Sequence, residues 1–464
     1  MERYDVAIIG SGPGGYVAAI RAAQLGLSAV IIERQCWGGV CLNVGCIPSK
    51  CLLEDTHLYY ELVKHGASRG VVAKDVTPDW PAMQLRKAKV VQQLTRGVEA
   101  LLKRNGIAMH RGEAQFKDEK ALTVTGEDGQ RSEIIADSII IASGSQSATL
   151  PHIKPDGERV ITSTEALSLP SVPKSLAVIG AGAIGLELGS AYARLGTKVC
   201  FVEIMPQALP GMDIELANAL VRQLKKERIA VHLESKVISL AASETGAVLS
   251  VEGKFTGTIE SELVLLSVGR APVTDALNLD AIGVKTDKRG FIEVDCEFRT
   301  AVPNVLAIGD VIGGLMLAHK ASHEGIAAAE VLAGRSNSVS GLVPAVVYTS
   351  PEVASIGFTE QQAVEKGLKV KVGRFFFGAN GRAMAMNAAV GHVIVVADEE
   401  SDAMLGVHMV GPMAGELIHE AGAALAAGIK LADYQHLVRA HPTLSEAIGE
   451  AALDANGCAI HKIR

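Results

Sequence analysis

The hydrophobic positions of this chain form short apolar runs, each leading into a glycine-rich turn and then an Ala-rich segment. The first run, Tyr4 to Ile9, predicts a buried strand, and the segment after the glycines predicts a helix to about Leu25. A further apolar run over Ala29 to Ile32 predicts a second strand, which Glu33 follows. This order is typical of a βαβ unit with two parallel strands.

The same pattern returns far downstream. A strand is predicted over Leu176 to Ile179, a helix to about Leu195, and a strand over Lys198 to Val202, which ends at Glu203. In both copies the acid lies 23 positions after the first glycine of the turn. The chain therefore contains an internal repeat of one βαβ unit.

Glycines occupy the first, third and sixth positions of each turn. In such a turn the first glycine makes the bend, the second lets a pyrophosphate approach the backbone, and the third lets helix pack on strand. The helix N-terminus favours phosphate, and the closing acid accepts hydrogen bonds from a ribose diol. We therefore predict two dinucleotide sites. Their residues are Gly10, Gly12, Gly15 and Glu33 in the first copy and Gly180, Gly182, Gly185 and Glu203 in the second.

Glu203 also favours NAD over NADP at the second site, because a 2′-phosphate would meet a carboxylate. No Arg or Lys occurs between Ile204 and Arg222 to neutralise such a phosphate. On geometry alone the first site suits either FAD or NAD. Its proximity to a cluster of cysteines favours FAD, since thiol chemistry needs an electron acceptor nearby.

The remaining chain alternates between helical and strand patterns. Residues 56–105 are predicted to be helical, and residues 107–142 and 229–268 are predicted to form strands. The three predicted strands Ile139 to Ala142, Val264 to Val268 and Asn304 to Ile308 are each followed closely by a glycine.

From about residue 345 the pattern is mixed strand and helix, with an Ala-rich helix near 414–428 and no third glycine turn. We predict an α/β protein with two Rossmann-like dinucleotide-binding domains and a C-terminal α+β domain. The predicted units are residues 1–145 and 146–270 for the two nucleotide-binding domains, 271–344 for a central domain and 345–464 for the terminal domain.

Composition and charge exclude several classes of protein. A net charge of −7 with scattered Lys and Arg offers no surface for nucleic acid. No apolar run reaches the roughly 18 residues of a membrane-spanning helix, and no signal peptide precedes Tyr4. We expect a cytoplasmic protein, or the processed form of one from an organellar matrix. The seven cysteines are an odd number in a large chain, which argues against a structural disulfide framework.

Four of the cysteines, Cys36, Cys41, Cys46 and Cys51, occur at regular spacing. Cys41 and Cys46 are predicted to lie where a loop passes into a helix, and such a turn permits the roughly 4.4–6.8 Å between Cα atoms that a disulfide needs. The helix N-terminus would favour the thiolate at Cys46. The alternatives are ordinary buried cysteines and a metal site, although metal sites usually show pairs two to four apart.

The run from Gly38 to Lys50 resembles the redox-disulfide motif of the pyridine nucleotide–disulfide oxidoreductases. Its form, Cys-Leu-Asn-Val-Gly-Cys-Ile-Pro-Ser-Lys from Cys41, is most similar to the branch that oxidises dihydrolipoamide. The resemblance covers essentially the whole chain. It continues through both glycine turns and through Ile308 to Val311, Leu317 to Lys320, Tyr348 to Ala354 and His441 to Glu446.

The resemblance implies roles at the matching positions. Cys41 would be the thiol that exchanges with the substrate, and Cys46 the thiol that contacts the flavin. Asp310 would hold the ribityl chain of FAD, as Glu33 would hold its adenosine ribose. The expected cofactor-binding residues also include Gly144 and Gly269, which follow two of the predicted strands. Lys50 and Glu187 would form an ion pair beside the flavin, where the nicotinamide docks.

His441 and Glu446 are predicted to act together as base and partner. Thiol exchange requires a base, and imidazole has an unperturbed pKa of about 6.5. A carboxylate on its far nitrogen would fix the tautomer and stabilise the imidazolium. The resemblance implies that this pair reaches across a twofold interface to the disulfide of the other subunit. The active unit would then be a homodimer, with 345–464 as the interface domain.

Two positions depart from the family pattern. Arg439 stands two residues before His441, where a His is frequent, and Cys51 replaces a common aliphatic residue. Cys36 and Cys51 are interpreted as incidental to the chemistry. No lipoyl domain precedes Tyr4, so we expect the lipoyl group to arrive on a separate protein.

The resemblance thus implies an enzyme that oxidises protein-bound dihydrolipoyl groups and reduces NAD to NADH through FAD and the Cys41–Cys46 disulfide. Its partner would be the lipoyl-bearing protein of a 2-oxo acid dehydrogenase or glycine-cleavage complex. The alternatives are another disulfide reductase of the superfamily, a metal-binding cysteine cluster and a non-catalytic scaffold. A mercuric reductase would carry a vicinal cysteine pair near the C-terminus, where only Cys458 stands.

Overall fold

The first glycine turn joins a strand to a helix at the start of the chain. The computed structural model describes residues 2–243, 246–335, 339 and 341–463. A 3₁₀ helix at Ala67–Arg69 links two long helices of this first part. Its other elements are β1 (Glu2–Ile9), α1 (Pro13–Gln24), β2 (Ala29–Glu33), α2 (Gly39–Val44), α3 (Cys46–His65), α4 (Trp80–Arg104), β3 (Ala108–Arg111), β4 (Glu113–Asp118), β5 (Ala121–Thr125) and β6 (Arg131–Ile141).

The second glycine turn joins a strand to a helix in the same way. The elements of this part are β7 (Ser145–Ser147), β8 (Val160–Ile161), α5 (Ser163–Ala166), β9 (Ser175–Ile179), α6 (Ala183–Arg194), β10 (Lys198–Val202), α7 (Ile214–Lys226), β11 (Ala230–His232), β12 (Ser235–Ser243), β13 (Gly246–Gly253), β14 (Gly257–Ser261), β15 (Leu263–Leu266) and β16 (Arg270–Pro272).

The rest of the chain returns to the first sheet and then forms a separate antiparallel sheet. Three 3₁₀ helices lie here, at Leu279–Ile282, Gly309–Ile312 and Phe377–Ala379. The other elements are β17 (Val305–Ala307), α8 (Ala318–Leu332), β18 (Ala345–Val347), β19 (Glu352–Gly357), α9 (Glu360–Glu365), β20 (Val370–Phe376), α10 (Gly381–Ala385), β21 (His392–Asp398), β22 (Met404–Gly411), α11 (Ala414–Ala426), α12 (Leu431–Tyr434) and α13 (Glu446–Ala455).

The two nucleotide-type sheets have the same order of four parallel strands, and the fifth strand differs in origin, because β17 follows the other strands of its sheet along the chain whereas β8 precedes them. In the first, β3, β2, β1, β6 and β17 lie side by side and are all parallel. In the second, β11, β10, β9, β15 and β8 do the same. The central strands are buried on both faces, as parallel sheets covered by helices require. This equivalence confirms the predicted repeat and the two Rossmann-like domains.

The segment after residue 300 completes the first domain rather than the second. Strand β17 pairs with β6, with Val305 opposite Ile139. Helix α8 packs closely on α1, where a Cβ atom at Gly325 would lie 2.4 Å from the carbonyl O of Gly14. The chain therefore leaves the first sheet, builds the second domain, and returns.

The C-terminal region is an antiparallel sheet with helices packed on it. Its strand order is β18, β19, β22, β21 and β20, and every neighbouring pair is antiparallel. The buried residues on one face of this sheet form an apolar cluster with those of α11 and α13. Those on the other face pack with the second nucleotide domain. This arrangement confirms the predicted α+β class of the terminal domain.

Two details differ from the sequence-based expectations. The predicted helical stretch over 56–105 is interrupted, because α3 ends at His65 and α4 begins only at Trp80. The expected loop before Cys46 is wrong, since Cys41 lies in the short helix α2. Within the predicted strand region 229–268, residues 244 and 245 lie outside the described residues.

Candidate active site

Cys41 and Cys46 lie at the junction of two helices. Cys41 belongs to α2, and Cys46 is the first residue of α3. Gly45 stands between the helices, where a Cβ atom would lie only 2.8 Å from the carbonyl O of Val40. Because Gly45 has no side chain, the chain turns tightly enough for the two thiols to hydrogen-bond to each other.

The two thiols differ in their affinity for a proton. The hydrogen bond donated by Cys41 lowers the pKa of the Cys46 thiol, and although burial opposes this, the nearby Lys50 ammonium lowers it further. The same hydrogen bond, together with burial, raises the pKa of Cys41. The N-terminus of α3 also favours a negative charge at Cys46. In the reduced pair, the thiolate therefore forms at Cys46 and the proton stays on Cys41.

Both thiols line a cavity of about 410 Å³ that runs along the first glycine turn. Residues from the second repeat reach the same cavity through α6. More than half of the predicted site residues meet here. The predicted residues that line it are Cys41, Cys46, Lys50, Glu187, Gly10, Gly12, Glu33, Gly144 and Asp310.

The first glycine turn has the shape that a dinucleotide pyrophosphate needs. A Cβ atom at Gly10 would lie 2.3 Å from the carbonyl O of Ala142, and one at Gly15 would lie 1.9 Å from the carbonyl O of Gly10. At Gly12, by contrast, a Cβ atom would meet nothing within 4 Å. The open side at the N-terminus of α1 is where phosphates would lie, so the turn fits an FAD molecule.

Glu33 is oriented towards this turn. Its Oε2 accepts hydrogen bonds from the backbone N–H of Ser11 at 2.9 Å and from the Ser11 hydroxyl at 2.6 Å, and its Oε1 accepts from the N–H of Gln35 at 2.8 Å. A carboxylate oxygen has two lone-pair sites, so acceptor capacity remains for a ribose diol. Ser11 was not singled out in the sequence, although it lies inside the glycine motif.

A chain of polar contacts holds Asp310, which lines the same cavity. The Ser145 hydroxyl donates to Oδ2 of Asp310. Arg270 donates from Nε to the Ser145 hydroxyl at 2.6 Å and from Nη2 to the Ser145 carbonyl at 2.7 Å. Sequence reasoning missed Ser145 and Arg270, although they directly follow the predicted residues Gly144 and Gly269.

Lys50 and Glu187 form the predicted ion pair. The Lys50 Nζ lies 2.8 Å from Oε2 of Glu187, and Glu187 is almost fully buried. The other oxygen, Oε1, accepts from the backbone N–H of Tyr348 at 2.9 Å. The Lys50 Nζ also lies 4.6 Å from the centroid of the Tyr348 ring. Tyr348 is therefore a third member of this group, which the sequence did not single out.

The second glycine turn repeats the geometry of the first. A Cβ atom at Gly180 would lie 2.4 Å from the carbonyl O of Ser267, and at Gly185 it would lie 2.5 Å from the carbonyl O of Gly180. At Gly182 it would meet nothing within 4 Å. This turn therefore also leaves open space at a helix N-terminus, as a bound NAD requires.

Glu203 is held as Glu33 is, by the N–H groups of Ala181 at 2.7 Å and Met205 at 2.9 Å. Neither Glu203 nor the glycines of this turn line the first cavity, and the same holds for Gly269. Helix α6 starts at this turn, and its first residues do line it. The second nucleotide turn therefore lies outside the cavity, and α6 connects it to the cavity wall.

His441 and Glu446 form a pair on the terminal domain. The Nδ1 of His441 lies 2.9 Å from Oε1 of Glu446, whose Oε2 accepts from the N–H of Thr443 at 2.8 Å. Burial opposes ionisation, but these hydrogen bonds hold the pKa of Glu446 below its ordinary value. The imidazole is 77% exposed, and neither residue lines the cavity of this chain.

Arg439 is fixed against the terminal domain. Its Nε and Nη2 lie 3.1 and 2.8 Å from Oε1 of Glu420, and its guanidinium lies 4.8 Å from the centroid of the Tyr434 ring. The side chain is 8% exposed. Arg439 therefore anchors the segment that leads to His441.

The other cysteines have different surroundings. Cys36 is exposed and lines the cavity, whereas Cys51 is buried on α3. In the described part of the chain, no three His, Cys, Asp or Glu side chains converge to hold a metal ion. Among those same residues, no helix has both the length and the apolar composition needed to cross a membrane.

Two family models match this chain. Residues 4–325 match the model described as "Pyridine nucleotide-disulphide oxidoreductase", and residues 343–452 match "Pyridine nucleotide-disulphide oxidoreductase, dimerisation domain". The first match covers both glycine turns and the cysteine pair. The second covers the antiparallel sheet and the later segment that contains His441 and Glu446.

Individual relatives match over almost the full length. The mitochondrial dihydrolipoyl dehydrogenase of Pisum sativum is 47% identical over 99% of this chain and 93% of its own. The dihydrolipoyl dehydrogenase of Geobacillus stearothermophilus is 45% identical over 99% of this chain and 97% of its own. The solved structure of LpdA from Mycobacterium tuberculosis is 26% identical, with a TM-score of 0.89 over 97% of this chain and 99% of that chain.

Proposed function

The chain belongs to the pyridine nucleotide-disulphide oxidoreductase family, and we propose that it oxidises protein-bound dihydrolipoyl groups and reduces NAD to NADH. The observation that carries the proposal is the Cys41–Cys46 pair, because both thiols line the cavity beside a dinucleotide turn. The two full-length relatives with the name dihydrolipoyl dehydrogenase support the choice of substrate.

The cofactors of the enzyme are FAD and NAD. Bound FAD supplies the electron acceptor that links thiol chemistry to NAD. We propose that Gly12, Glu33, Gly144 and Asp310 bind FAD, since all four line the cavity. At the second turn, the open side of Gly182 and the carboxylate of Glu203 would bind the pyrophosphate and ribose of NAD, with Gly269 nearby.

The two cysteines would have different roles in the first half of the reaction. A base, His441, takes a proton from one dihydrolipoyl thiol, and the resulting thiolate attacks Sγ of Cys41 in the Cys41–Cys46 disulfide. The disulfide breaks, and Cys46 leaves as a thiolate that Lys50 and the α3 N-terminus stabilise. The second dihydrolipoyl sulfur then displaces Cys41, which keeps the second proton, and the lipoyl disulfide is released.

The second half restores the disulfide. Two electrons and the proton on Cys41 pass from the cysteine pair to NAD. The proton that His441 took up is released. The balanced reaction is dihydrolipoyl dithiol plus NAD⁺ to lipoyl disulfide, NADH and H⁺. The Lys50–Glu187 pair would lie between the two nucleotide turns, because Lys50 follows Cys46 on α3 and Glu187 belongs to α6.

The chain forms a homodimer, as its match to a dimerisation domain indicates. We propose that the His441–Glu446 pair of the partner subunit completes each site. Two observations support this sharing: neither residue lines the cavity of its own chain, and both lie within the dimerisation match. A base that is 77% exposed in one chain is available to a second one.

The proposed domains follow from these roles. Residues 1–145 would bind FAD and carry the disulfide, 146–270 would bind NAD, 271–344 would complete the FAD site, and 345–464 would form the interface. The return of β17 and α8 to the first sheet supports the third assignment. The second partner would be the lipoyl-bearing protein of a 2-oxo acid dehydrogenase or glycine-cleavage complex.

The proposed location is the cytoplasm, or an organellar matrix if the chain is processed. The Geobacillus stearothermophilus relative supports the first location, and the mitochondrial Pisum sativum relative supports the second.

The proposal is tested by a spectrum and a parallel assay of dihydrolipoamide with NAD and NADP. We expect flavin absorption bands and turnover with NAD. Cys46→Ser should lower this turnover by about 10³-fold or more, because the leaving thiolate is lost. Cys296→Ser, at an exposed cysteine, is the matched control and should retain wild-type turnover. Near wild-type turnover by Cys46→Ser would overturn the disulfide mechanism, and a flavin-containing protein that does not oxidise dihydrolipoamide would overturn the proposed substrate.

A further inference from the structure

Tyr348 lies where three parts of the fold meet. It directly follows β18, whose last paired residue is Val347 opposite Val353. Its backbone N–H is therefore outside the ladder of the terminal sheet and donates instead to Oε1 of Glu187, at 2.9 Å, on α6. The terminal domain and the second nucleotide domain are thus joined at the buried acid of the ion pair.

The ring of Tyr348 contacts the other member of the pair. The Lys50 ammonium lies 4.6 Å from the ring centroid and 2.8 Å from Oε2 of Glu187. A cation over an aromatic face is attracted by the ring, more strongly where water is partly excluded. Tyr348 therefore binds both Lys50 and Glu187, through its ring and its backbone respectively.

The ring of Tyr348 lies next to a helix of the terminal domain. A Cβ atom at Gly415, near the start of α11, would lie 3.6 Å from Cε1 of Tyr348 and 2.9 Å from Cγ1 of Val346. The N–H of Gly415 donates to Oε2 of Glu352 at 2.8 Å. The ring therefore lies beside the start of α11, a helix of the terminal domain, and Tyr348 is 37% exposed.

The charges around the ring are unbalanced. Glu187, Glu352 and Glu416 act on Tyr348 electrostatically, and Lys50 is the cation that acts on it. The Lys50 side chain is 35% exposed, so water competes for its ammonium. A flexible lysine stem samples many directions unless its end is held.

We infer that Tyr348 is a positioning residue for Lys50, and that the terminal domain thereby holds a positive charge beside Cys46. This inference rests on the proposed role of Cys46 as the reactive thiolate. Lys50 lies four residues after Cys46 on α3, so both side chains leave the same face of the helix. Loss of the ring would leave the Glu187 ion pair as the contact that holds the ammonium, so the ammonium would lie towards solvent more often and would stabilise the thiolate at Cys46 less.

The test is the pH dependence of Cys46 alkylation by iodoacetamide in the flavin-loaded protein. It is made in a Cys41→Ser background, where peptide mass spectrometry follows Cys46 separately from the remaining cysteines. The charged groups that face Cys46 there are Lys50, Glu187 and Arg270. Tyr348→Leu should raise the midpoint pH of Cys46 alkylation by about half a pH unit or more, because a cation that is held less firmly stabilises the thiolate less. At pH values below the midpoints of both the parent protein and the variant, this shift makes alkylation of Cys46 about threefold slower.

Two matched controls should leave the midpoint unchanged. Tyr348→Phe keeps the aromatic face and removes only the hydroxyl. Phe358→Leu removes another cation–π contact of the terminal domain, in which Lys366 Nζ lies 5.1 Å from the ring centroid. If Tyr348→Leu is poorly folded, Tyr348→Met, which is unbranched and also lacks a π face, makes the same comparison.

An unchanged midpoint in folded Tyr348→Leu or Tyr348→Met would overturn the inference. An equal shift in Tyr348→Phe would do so too, because the hydroxyl and not the ring would then be responsible. Alkylation needs no dihydrolipoyl substrate. A shifted midpoint in a protein that does not oxidise dihydrolipoamide would therefore refute the proposed substrate alone.

Discussion

The two reactive cysteines have the same side chain but different surroundings. Cys46 begins a helix, accepts a hydrogen bond from Cys41 and lies near the Lys50 ammonium. Cys41 donates that hydrogen bond and keeps its proton. In the proposed mechanism these environments favour Cys46 as the leaving thiolate and Cys41 as the residue that the substrate attacks. Further functional assignments depend on single side chains in the same way.

Glu203→Ala should reduce the preference for NAD over NADP. The ratio of kcat/KM for NAD to that for NADP is expected to fall about 10-fold or more, because a hydrogen bond to a charged group contributes about 1.5–3 kcal/mol. Steady-state kinetics with both nucleotides provide the measurement. Glu234→Ala, at an exposed acid paired with Lys254, is the control. An unchanged ratio in Glu203→Ala would refute this cofactor assignment.

Glu446→Gln should slow the dihydrolipoyl half of the reaction by about 10-fold or more, since the imidazolium of His441 loses its carboxylate. Anaerobic bleaching of the flavin by NADH, which does not need His441, should proceed at the wild-type rate. Glu450→Gln is a close control, because Glu450 lies one turn later on α13 and pairs with His461 at 2.8 Å. Equal losses in the two variants would contradict a specific role for Glu446.

The predicted nucleotide sites and the two thiols lie at the ends of helices. The glycine turns expose the N-termini of α1 and α6, and Gly45 brings the end of α2 against the start of α3. The short helix α2 would be marginal alone, so its position depends on the packing around it. The spacing of the two thiols is therefore a property of the α2–α3 junction.

Gly45→Ala should open this junction, because the added methyl group meets the carbonyl O of Val40 at 2.8 Å. Overpacking of this kind costs about 1–3 kcal/mol. We expect a lower Tm and slower formation of the Cys41–Cys46 disulfide, measured by thermal unfolding and by thiol titration during reoxidation. Gly97→Ala, inside α4 with nothing within 4 Å, should instead stabilise the protein by up to about 1 kcal/mol. Unchanged reoxidation in Gly45→Ala would contradict this account.

The whole molecule consists of two repeated nucleotide domains and a terminal sheet domain, which share a buried apolar cluster and also meet at the Lys50–Glu187 ion pair. Lys50, Glu187 and Tyr348 each come from a different part. The terminal domain carries His441 and Glu446 on a surface that does not face the cavity of its own chain. Each proposed active site therefore needs two copies of the chain.

Mixed dimers test this sharing. Cys46→Ser and His441→Gln chains should each be nearly inactive as homodimers. When both are co-expressed in equal amounts, half of the dimers are mixed and each has one intact site, so about a quarter of the wild-type activity should return. Size-exclusion chromatography and differently tagged chains identify the mixed dimer. Activity no higher than that of the homodimers would show that the site is built within one chain.

Much of the fold could be predicted because its signals are local. Apolar runs, glycine spacing and the acid that closes each unit indicated both repeats, and the observed strands and helices confirm them to within a few residues. The fold class, the oxidoreductase family and the FAD and NAD cofactors are likewise confirmed. The individual roles of the site residues and the domain limits stay predictions.

The remaining features depend on contacts between distant residues. Helical periodicity did not indicate that α2 would form before Cys46, since so short a helix is stabilised by its packing. Arg270 contacts Ser145 across 125 positions, and Tyr348 contacts Glu187 across 161. The order of residues along the chain determined which chemical groups this protein has and how each local unit folds. Packing between the domains decided which of those groups lie together, because such contacts form only when separately folded surfaces meet.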